Sequence, residues 1–134
     1  MTSRRRLDLE LELERLEAAD PSLSGITRRL GPLLDLLEAV DRGATLDVWV
    51  EFGGGHVVVA DVASSFRGLV RDAAGPGLGL EGAAGELVVL LHHVERVRPE
   101  HATGGVRVLL STGESLWFRA VRPGHSGLSR PPRP

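Results

Sequence analysis

The rhythm of apolar and polar residues changes at Gly43 and divides the chain into two parts. Before Gly43, apolar residues recur at the i, i+3, i+4 and i+7 positions of an amphipathic helix. After it, residues 45–52 alternate between apolar and polar, which is the period of a half-buried strand. The clearest helical stripe consists of Leu33, Leu36, Leu37 and Val40.

The segment before Gly43 is predicted to hold two or three short helices. In residues 7–19 leucines alternate with acids at strand period, but Leu and Glu are strong helix formers, so helix is favoured over strand. Asp20-Pro21 is typical of a helix start, with the aspartate as N-cap. Gly31-Pro32 ends that helix and begins a third one, which Gly43 terminates.

The segment after Gly43 is predicted to be antiparallel β-structure. The near-continuous apolar run in residues 56–62 suggests a strand buried on both faces, and Gly68 suggests a bulge. Residues 66–71 continue that strand or form another, and Thr112-Gly113 is typical of a hairpin turn. The predicted strands cover residues 45–52, 56–62, 66–71, 78–81, 86–93, 106–111 and 115–121, with a further short strand after a tight turn at 94–97.

These elements predict an α+β fold in which short N-terminal helices precede a five- to seven-stranded antiparallel small β-barrel or curled sheet. We divide the chain into an N-terminal helical segment (1–43), a small barrel-like domain (44–122) and a disordered tail (123–134) rich in Pro, Gly, Ser and Arg.

Residues 46–98 resemble the small barrels of Sm-like and SH3-like domains. The resemblance is carried by Phe66-Arg67-Gly68-Leu69-Val70, by the Gly-rich connection after it, and by residues 86–98. In such barrels a strand enters a one-turn 3₁₀ helix and then a closing strand, and Val94 and Val97 have the matching spacing. The Sm-like resemblance implies a ring-forming RNA binder, but the chain has no asparagine with which to form that family's uridine pocket.

Composition narrows the class of protein. The net charge is −2, so no overall basic field draws the chain to nucleic acid. All 16 cationic residues are arginine, and the bias towards Ala, Gly, Leu and Val indicates a GC-rich, bacterial genome; selection of arginine for bidentate contacts is the alternative. Cysteine is absent, and no run of 18 uncharged apolar residues occurs. We expect a cytoplasmic protein that does not cross a membrane.

Histidines are the strongest candidates for chemistry in this sequence. His92 and His93 are adjacent, so on a strand they point to opposite faces and do not readily share one metal ion. A site would need His56, His101 or His125 to converge with one of them, together with a carboxylate. Because no spacing requires this, we predict no catalytic, cofactor or metal site and no enzyme; a hydrolase or metal site built on histidines is the least favoured hypothesis.

The two tryptophans lie out of phase with the aliphatic residues of their strands. Trp49 and Trp117 share a face with Asp47, Glu51 and Arg119. Large aromatics beside charges indicate a contact surface, so Trp49, Trp117 and Arg119 are the candidate partner-binding residues. The competing interpretation, slightly favoured, is that the N-terminal helices cover this face and both indoles belong to the core.

The sequence therefore predicts a non-enzymatic protein-binding or assembly module of a bacterial cytoplasm, with a protein partner or a second copy as ligand. The alternative is RNA or other nucleic-acid binding through an arginine-lined barrel face. The arginines of that alternative are Arg67, Arg71, Arg96, Arg98, Arg119 and Arg122.

Overall fold

The computed structural model describes residues 3–53, 55–100 and 104–121 and has an α+β architecture. Three helices come first: α1 (Arg4–Ala19), α2 (Ile26–Arg29) and α3 (Gly31–Asp41). One antiparallel sheet follows. Its strands are β1 (Thr45–Phe52), β2 (His56–Asp72), β3 (Gly75–Gly82), β4 (Gly85–Leu90), β5 (Val94–Glu100), β6 (Gly105–Leu110) and β7 (Ser115–Val121).

Helix α1 confirms the helical interpretation of residues 7–19. Ser3 caps its N-terminus, because the hydroxyl accepts a hydrogen bond of 3.2 Å from the Arg6 backbone N–H. Leu9 and Leu13 are buried, whereas the acidic residues between the leucines face outward. Helical period, not strand period, therefore determines which leucines enter the core.

The second predicted helix is broken into two short pieces. Asp20 is the N-cap, as predicted, and accepts from the Ser22 backbone N–H at 3.0 Å. The element that it caps is only a 3₁₀ helix, Pro21–Leu23, because Gly25 has a left-handed φ of 79° that interrupts the chain before α2. Pro32 lies in the first turn of α3, and Gly43 has a φ of 101° just after that helix, both as expected.

The sheet has the strand order β4-β3-β2-β1-β7-β6-β5. Its edge strands β4 and β5 do not pair with each other, so the sheet is open and the closed form of the predicted barrel is wrong. A three-residue 3₁₀ helix, Leu91–His93, joins the two edges directly. The strand predicted at 86–93 therefore ends at Leu90, three residues early. The tight turn predicted at 94–97 is wrong in position, because the chain turns at Leu91–His93 and residues 94–97 belong to β5.

Strand β2 runs for 17 residues and takes part in both halves of the sheet. The predicted segment 66–71 continues it, and the expected bulge occurs between Phe66 and Gly68, where the glycine has a φ of 86°. The expectation that residues 56–62 are buried on both faces is wrong. Val58 is 43% exposed and lies near the end of the β1–β2 hairpin, outside the apolar cluster.

The core lies between the helices and one face of the sheet, which we call the inner face. Leucines of α3 (Leu33, Leu34 and Leu37) are buried in one apolar cluster with alternate residues of the strands. On the two central strands these residues are Leu46, Val48, Leu116 and Phe118. Helices and sheet therefore share a single core.

Ion pairs attach α1 to α3. Arg6 contacts the carboxylates of Asp35 and Glu38, the latter at 3.1 Å, and Arg5 contacts Asp41. Glu38 is 8% exposed and also accepts a hydrogen bond of 2.7 Å from the Ser3 backbone N–H. The Ser3 hydrogen bond and the Arg6 contact lower the pKa of Glu38 to about 2.

We expect Gly77→Ala to destabilise the fold and Gly31→Ala to leave it intact. A Cβ at Gly77 would lie 2.8 Å from the Val89 carbonyl oxygen, so β3 and β4 would have to separate. The expected cost is about 1–3 kcal/mol of unfolding free energy. At Gly31 nothing lies within 4 Å of an added Cβ, and stability should rise by up to about 1 kcal/mol. Urea unfolding measures both; equal effects would contradict the β3–β4 packing.

We expect the fold to lose stability as the pH falls from about 4.5 towards 2, and Glu38→Gln to flatten this loss. Because folding lowers the pKa of Glu38, the ionised carboxylate stabilises the native state above the unfolded pKa, and protonation removes that contribution. Asp8→Asn, an exposed acid of α1, is the control and should keep the wild-type profile. The measurement is unfolding free energy against pH. A Glu38→Gln profile as steep as wild type would contradict the expectation.

Candidate functional site

The face of the sheet opposite the helices, which we call the outer face, carries a cross-strand row of two arginines and two tryptophans. In the register of β5, β6, β7 and β1, Arg98 lies opposite Arg107, Arg107 opposite Trp117, and Trp117 opposite Trp49. Directly opposed residues project from the same face of a sheet and contact each other. The antiparallel register therefore builds a continuous row from residues that are far apart in sequence.

Both indoles of this row are buried, although the helices do not cover them. Trp49 has no exposed surface and Trp117 is 4% exposed. Neither belongs to the apolar cluster that contains the helix leucines. The expectation that both indoles are buried is therefore confirmed. The expectation that the N-terminal helices bury them is wrong, because the tryptophans lie outside the cluster that the helices form with the sheet.

An arginine lies over each tryptophan ring. The Arg107 guanidinium is 4.7 Å from the centroid of the Trp117 ring, and that of Arg119 is 5.1 Å from the centroid of Trp49. At these distances a cation is attracted to the face of an aromatic ring. The long arginine side chains thus cover apolar surface while they keep charge at the outer face.

Carboxylates orient these arginines. Glu51 accepts from Arg107 at 3.1 Å and from the Trp117 indole N–H at 2.9 Å. Arg119 lies 3.6 Å from Asp47, which is almost fully buried. Each of these two arginines therefore lies between an aromatic ring and an acid, so that its charge has a local partner.

Two buried donors in the same row have no acceptor. The indole N–H of Trp49 and the Nε–H of Arg107 are buried and make no hydrogen bond. A buried donor without a partner costs stability, so the row is less well satisfied than the rest of the sheet. The two indoles therefore differ: the N–H of Trp117 donates to Glu51, whereas the N–H of Trp49 has no acceptor.

Among the described residues, the arginines of the outer face that have no ion pair lie at the β5 end of the row. Arg96 and Arg98 are exposed on the outer face, and neither forms an ion pair with any residue that the structure describes. Arg98 also lies opposite Arg107, a like-charged pair that disfavours the sheet in the absence of an anion. This end of the outer face is therefore suited to a negatively charged ligand.

The other arginines of the nucleic-acid hypothesis lie elsewhere. Arg67 and Arg71 are on β2, and strands β1, β7 and β6 separate that strand from β5. Arg67 lies 3.9 Å from Glu86 of the neighbouring sheet edge. Arg122 lies outside the described residues. Arg96, Arg98 and Arg119 thus share the outer face, with β6 between β5 and β7, whereas Arg67 and Arg71 lie on the more distant β2.

The described histidines do not converge. His92 contacts the Asp20 carboxylate at 2.8 Å and links the two 3₁₀ helices, while His56 begins β2. Hydrogen bonds from Ser22 and the contact with His92 lower the pKa of Asp20 to about 2. His101 and His125 lie outside the described residues. In residues 3–53, 55–100 and 104–121, no group of three or more His, Asp or Glu could hold a metal ion.

Arg107 is the one central residue of the row that the sequence analysis did not single out. The signal was present, because a hairpin centred on Thr112-Gly113 sets Arg107 opposite Trp117. Extending the predicted register by one more strand would also have set Arg98 beside them.

Comparison of the chain with protein-family models, with curated proteins and with solved structures finds no match. In the part of the chain that the structure describes, no helix has the length and apolar character needed to span a membrane. The proposals below therefore rest on the geometry of the outer face and of the helices.

We expect Trp117→Phe to destabilise the protein more than Trp49→Phe, by about 1–2 kcal/mol, because only Trp117 loses an indole hydrogen bond to a carboxylate. Both variants remove a similar volume and leave one tryptophan as a fluorescent probe. Denaturant unfolding of the two variants measures the difference. A larger loss for Trp49→Phe would contradict the described asymmetry.

Proposed function

We propose that this protein is a non-enzymatic binding and assembly module of a bacterial cytoplasm, and that its outer face binds an acidic segment of a protein partner. The observation that carries the proposal is the pair Arg96 and Arg98, exposed and without ion pairs among the described residues. They lie at the β5 end of the row, whereas Arg107 and Arg119 each have a carboxylate partner.

Charge and exposure favour a protein ligand over a nucleic acid. Proteins that bind single strands stack bases on accessible aromatic rings, and both indoles here are buried. Binding along a phosphate backbone needs several cations in a continuous track, but Arg67 and Arg71 lie on a distant strand. Arg96 and Arg98, two residues apart on one strand, instead match one or two carboxylates of a peptide. Each guanidinium can bind a carboxylate in a bidentate manner.

The contact is proposed to use side chains, not strand addition at the β5 edge. Arg29 of α2 donates to the Val94 carbonyl at 3.3 Å and approaches that of Glu95 at 3.4 Å, so α2 occupies the start of this strand. Pro99, near its other end, has no backbone N–H to offer. Only a short stretch of β5 is left for pairing, whereas its outer side chains are accessible.

We also propose that this domain is related to the small barrels of Sm-like and SH3-like proteins. A bent strand with a glycine bulge and a 3₁₀ helix between β4 and β5 support it. The absence of cysteine supports a reducing compartment.

A phage-displayed library of 12-residue peptides tests the proposed ligand class. We expect selection on the wild-type protein to enrich Asp and Glu. Selection on Arg96→Glu/Arg98→Glu should lose that enrichment, because the charge of the two unpaired arginines on the described part of the face is reversed. For a synthetic peptide from the enriched pool, the double variant should bind about tenfold or more weakly than wild type. Binding to wild type should also weaken with added salt.

Arg71→Glu is the matched control, since Arg71 is also exposed but lies on β2. It should bind the selected peptide like wild type. Twelve-nucleotide RNA and DNA oligomers are tested in parallel by fluorescence anisotropy. Tighter binding of the oligomers than of the peptide, with loss in the double variant, would replace this proposal by the nucleic-acid alternative.

A further inference from the structure

Helix α1 exposes two leucines on the side that faces away from the core. Leu7 is 50% exposed and Leu11 is 52% exposed. They are one turn apart on the same side of the helix, whereas the buried Leu9 and Leu13 lie on the opposite side. Helix α1 is thus apolar on two sides, and in the described part of the chain only one of them is packed in the core.

Opposite charges flank the exposed pair. Arg4 precedes Leu7 by three residues and Glu14 follows Leu11 by three, which keeps all four on one side of the helix. Both charged residues are exposed, and neither forms an ion pair within the described part of the chain. These four residues form a stripe centred on position 9. The two leucines are equally far from its centre, and so are the two charged residues, which have opposite signs.

The charge of α1 also opposes its own helix dipole. Its first turn contains arginines and no acid, and its last turn contains no base. Such a helix is destabilised at both ends, because the N-terminus favours negative and the C-terminus positive charge. A second helix of the same sequence, lying antiparallel, would bring acids to the basic end and a basic turn to the acidic end.

We propose that two copies of this protein associate through α1 in an antiparallel, isologous contact. Leu7 of each copy packs against Leu11 of the other, and Arg4 of each copy lies near Glu14 of the other. A patch that is complementary to itself under twofold rotation is what such a dimer requires. Only two half-exposed leucines per copy are buried, so we expect a weak dimer with a dissociation constant on the order of 100 µM.

Sedimentation equilibrium of the full chain from about 1 µM to 1 mM tests the contact. Wild type should shift from monomer to dimer, and Leu7→Asp/Leu11→Asp should remain monomeric throughout. Phe52→Asp is the matched control, because Phe52 is also an exposed apolar residue, 44% accessible, at the end of β1. It should dimerise like wild type. Far-ultraviolet circular dichroism verifies that each variant is folded.

Charge exchange tests the antiparallel orientation. Arg4→Glu and Glu14→Arg should each weaken the dimer about three- to tenfold, because each places like charges together twice per dimer. The double variant Arg4→Glu/Glu14→Arg should regain wild-type affinity. Arg4→Glu also places a favourable negative charge at the N-terminus of α1, so it should raise the melting temperature of the monomer. Weaker association in a more stable monomer would show that the effect on the dimer arises at the interface.

A chain that stays monomeric at about 1 mM would overturn this inference, as would a dimer unaffected by Leu7→Asp/Leu11→Asp. A double charge variant that associates no better than either single variant would overturn the antiparallel arrangement. The test is independent of the proposed function, because Arg96→Glu/Arg98→Glu should leave the dimer unchanged.

Discussion

Packing of the α3 leucines against the aliphatic face of the sheet is the interaction on which the rest of this structure depends. Alternation along β1 and β7 sends Leu46, Val48 and Phe118 inward, and the same alternation sends both tryptophans outward. Burial of apolar surface on the inner face stabilises the fold. Once that face is chosen, every outward position is fixed, because a register shift of one residue would exchange the two faces.

The outer face has to bury two large aromatics without a second layer of helices. It does so with arginine side chains held by carboxylates: Glu51 orients Arg107 over Trp117, and Asp47 lies beside Arg119 over Trp49. The arrangement pairs Arg107 and Arg119 with carboxylates and leaves Arg96 and Arg98 of β5 without an ion pair among the described residues. The core thus occupies one face of the sheet, the two exposed arginines lie on the other, and α1 carries a separate apolar stripe that the core does not use.

Sequence alone predicted the order of helices and strands, the Asp20 cap, the Gly68 bulge and the Thr112-Gly113 hairpin, because each has a local chemical signal. The break of the second helix at Gly25 was missed, since one glycine inside a helical pattern does not by itself indicate a left-handed φ. The open sheet and the remote position of Arg67 and Arg71 depend on strand order, which alternation does not encode. The outer-face position of both tryptophans was predictable from alternation, but the arginines that cover them required the β5–β6–β7–β1 register.

Nuclear Overhauser contacts of the two indole side chains test most directly whether the helices and the tryptophans occupy opposite faces of the sheet. The account predicts contacts between the Trp49 and Trp117 rings and to the methylene protons of Arg107 and Arg119. It also predicts that the ring of Phe118 contacts leucine methyl groups of the helices. Contacts from either indole to the methyl groups of Leu33 or Leu37 would contradict it.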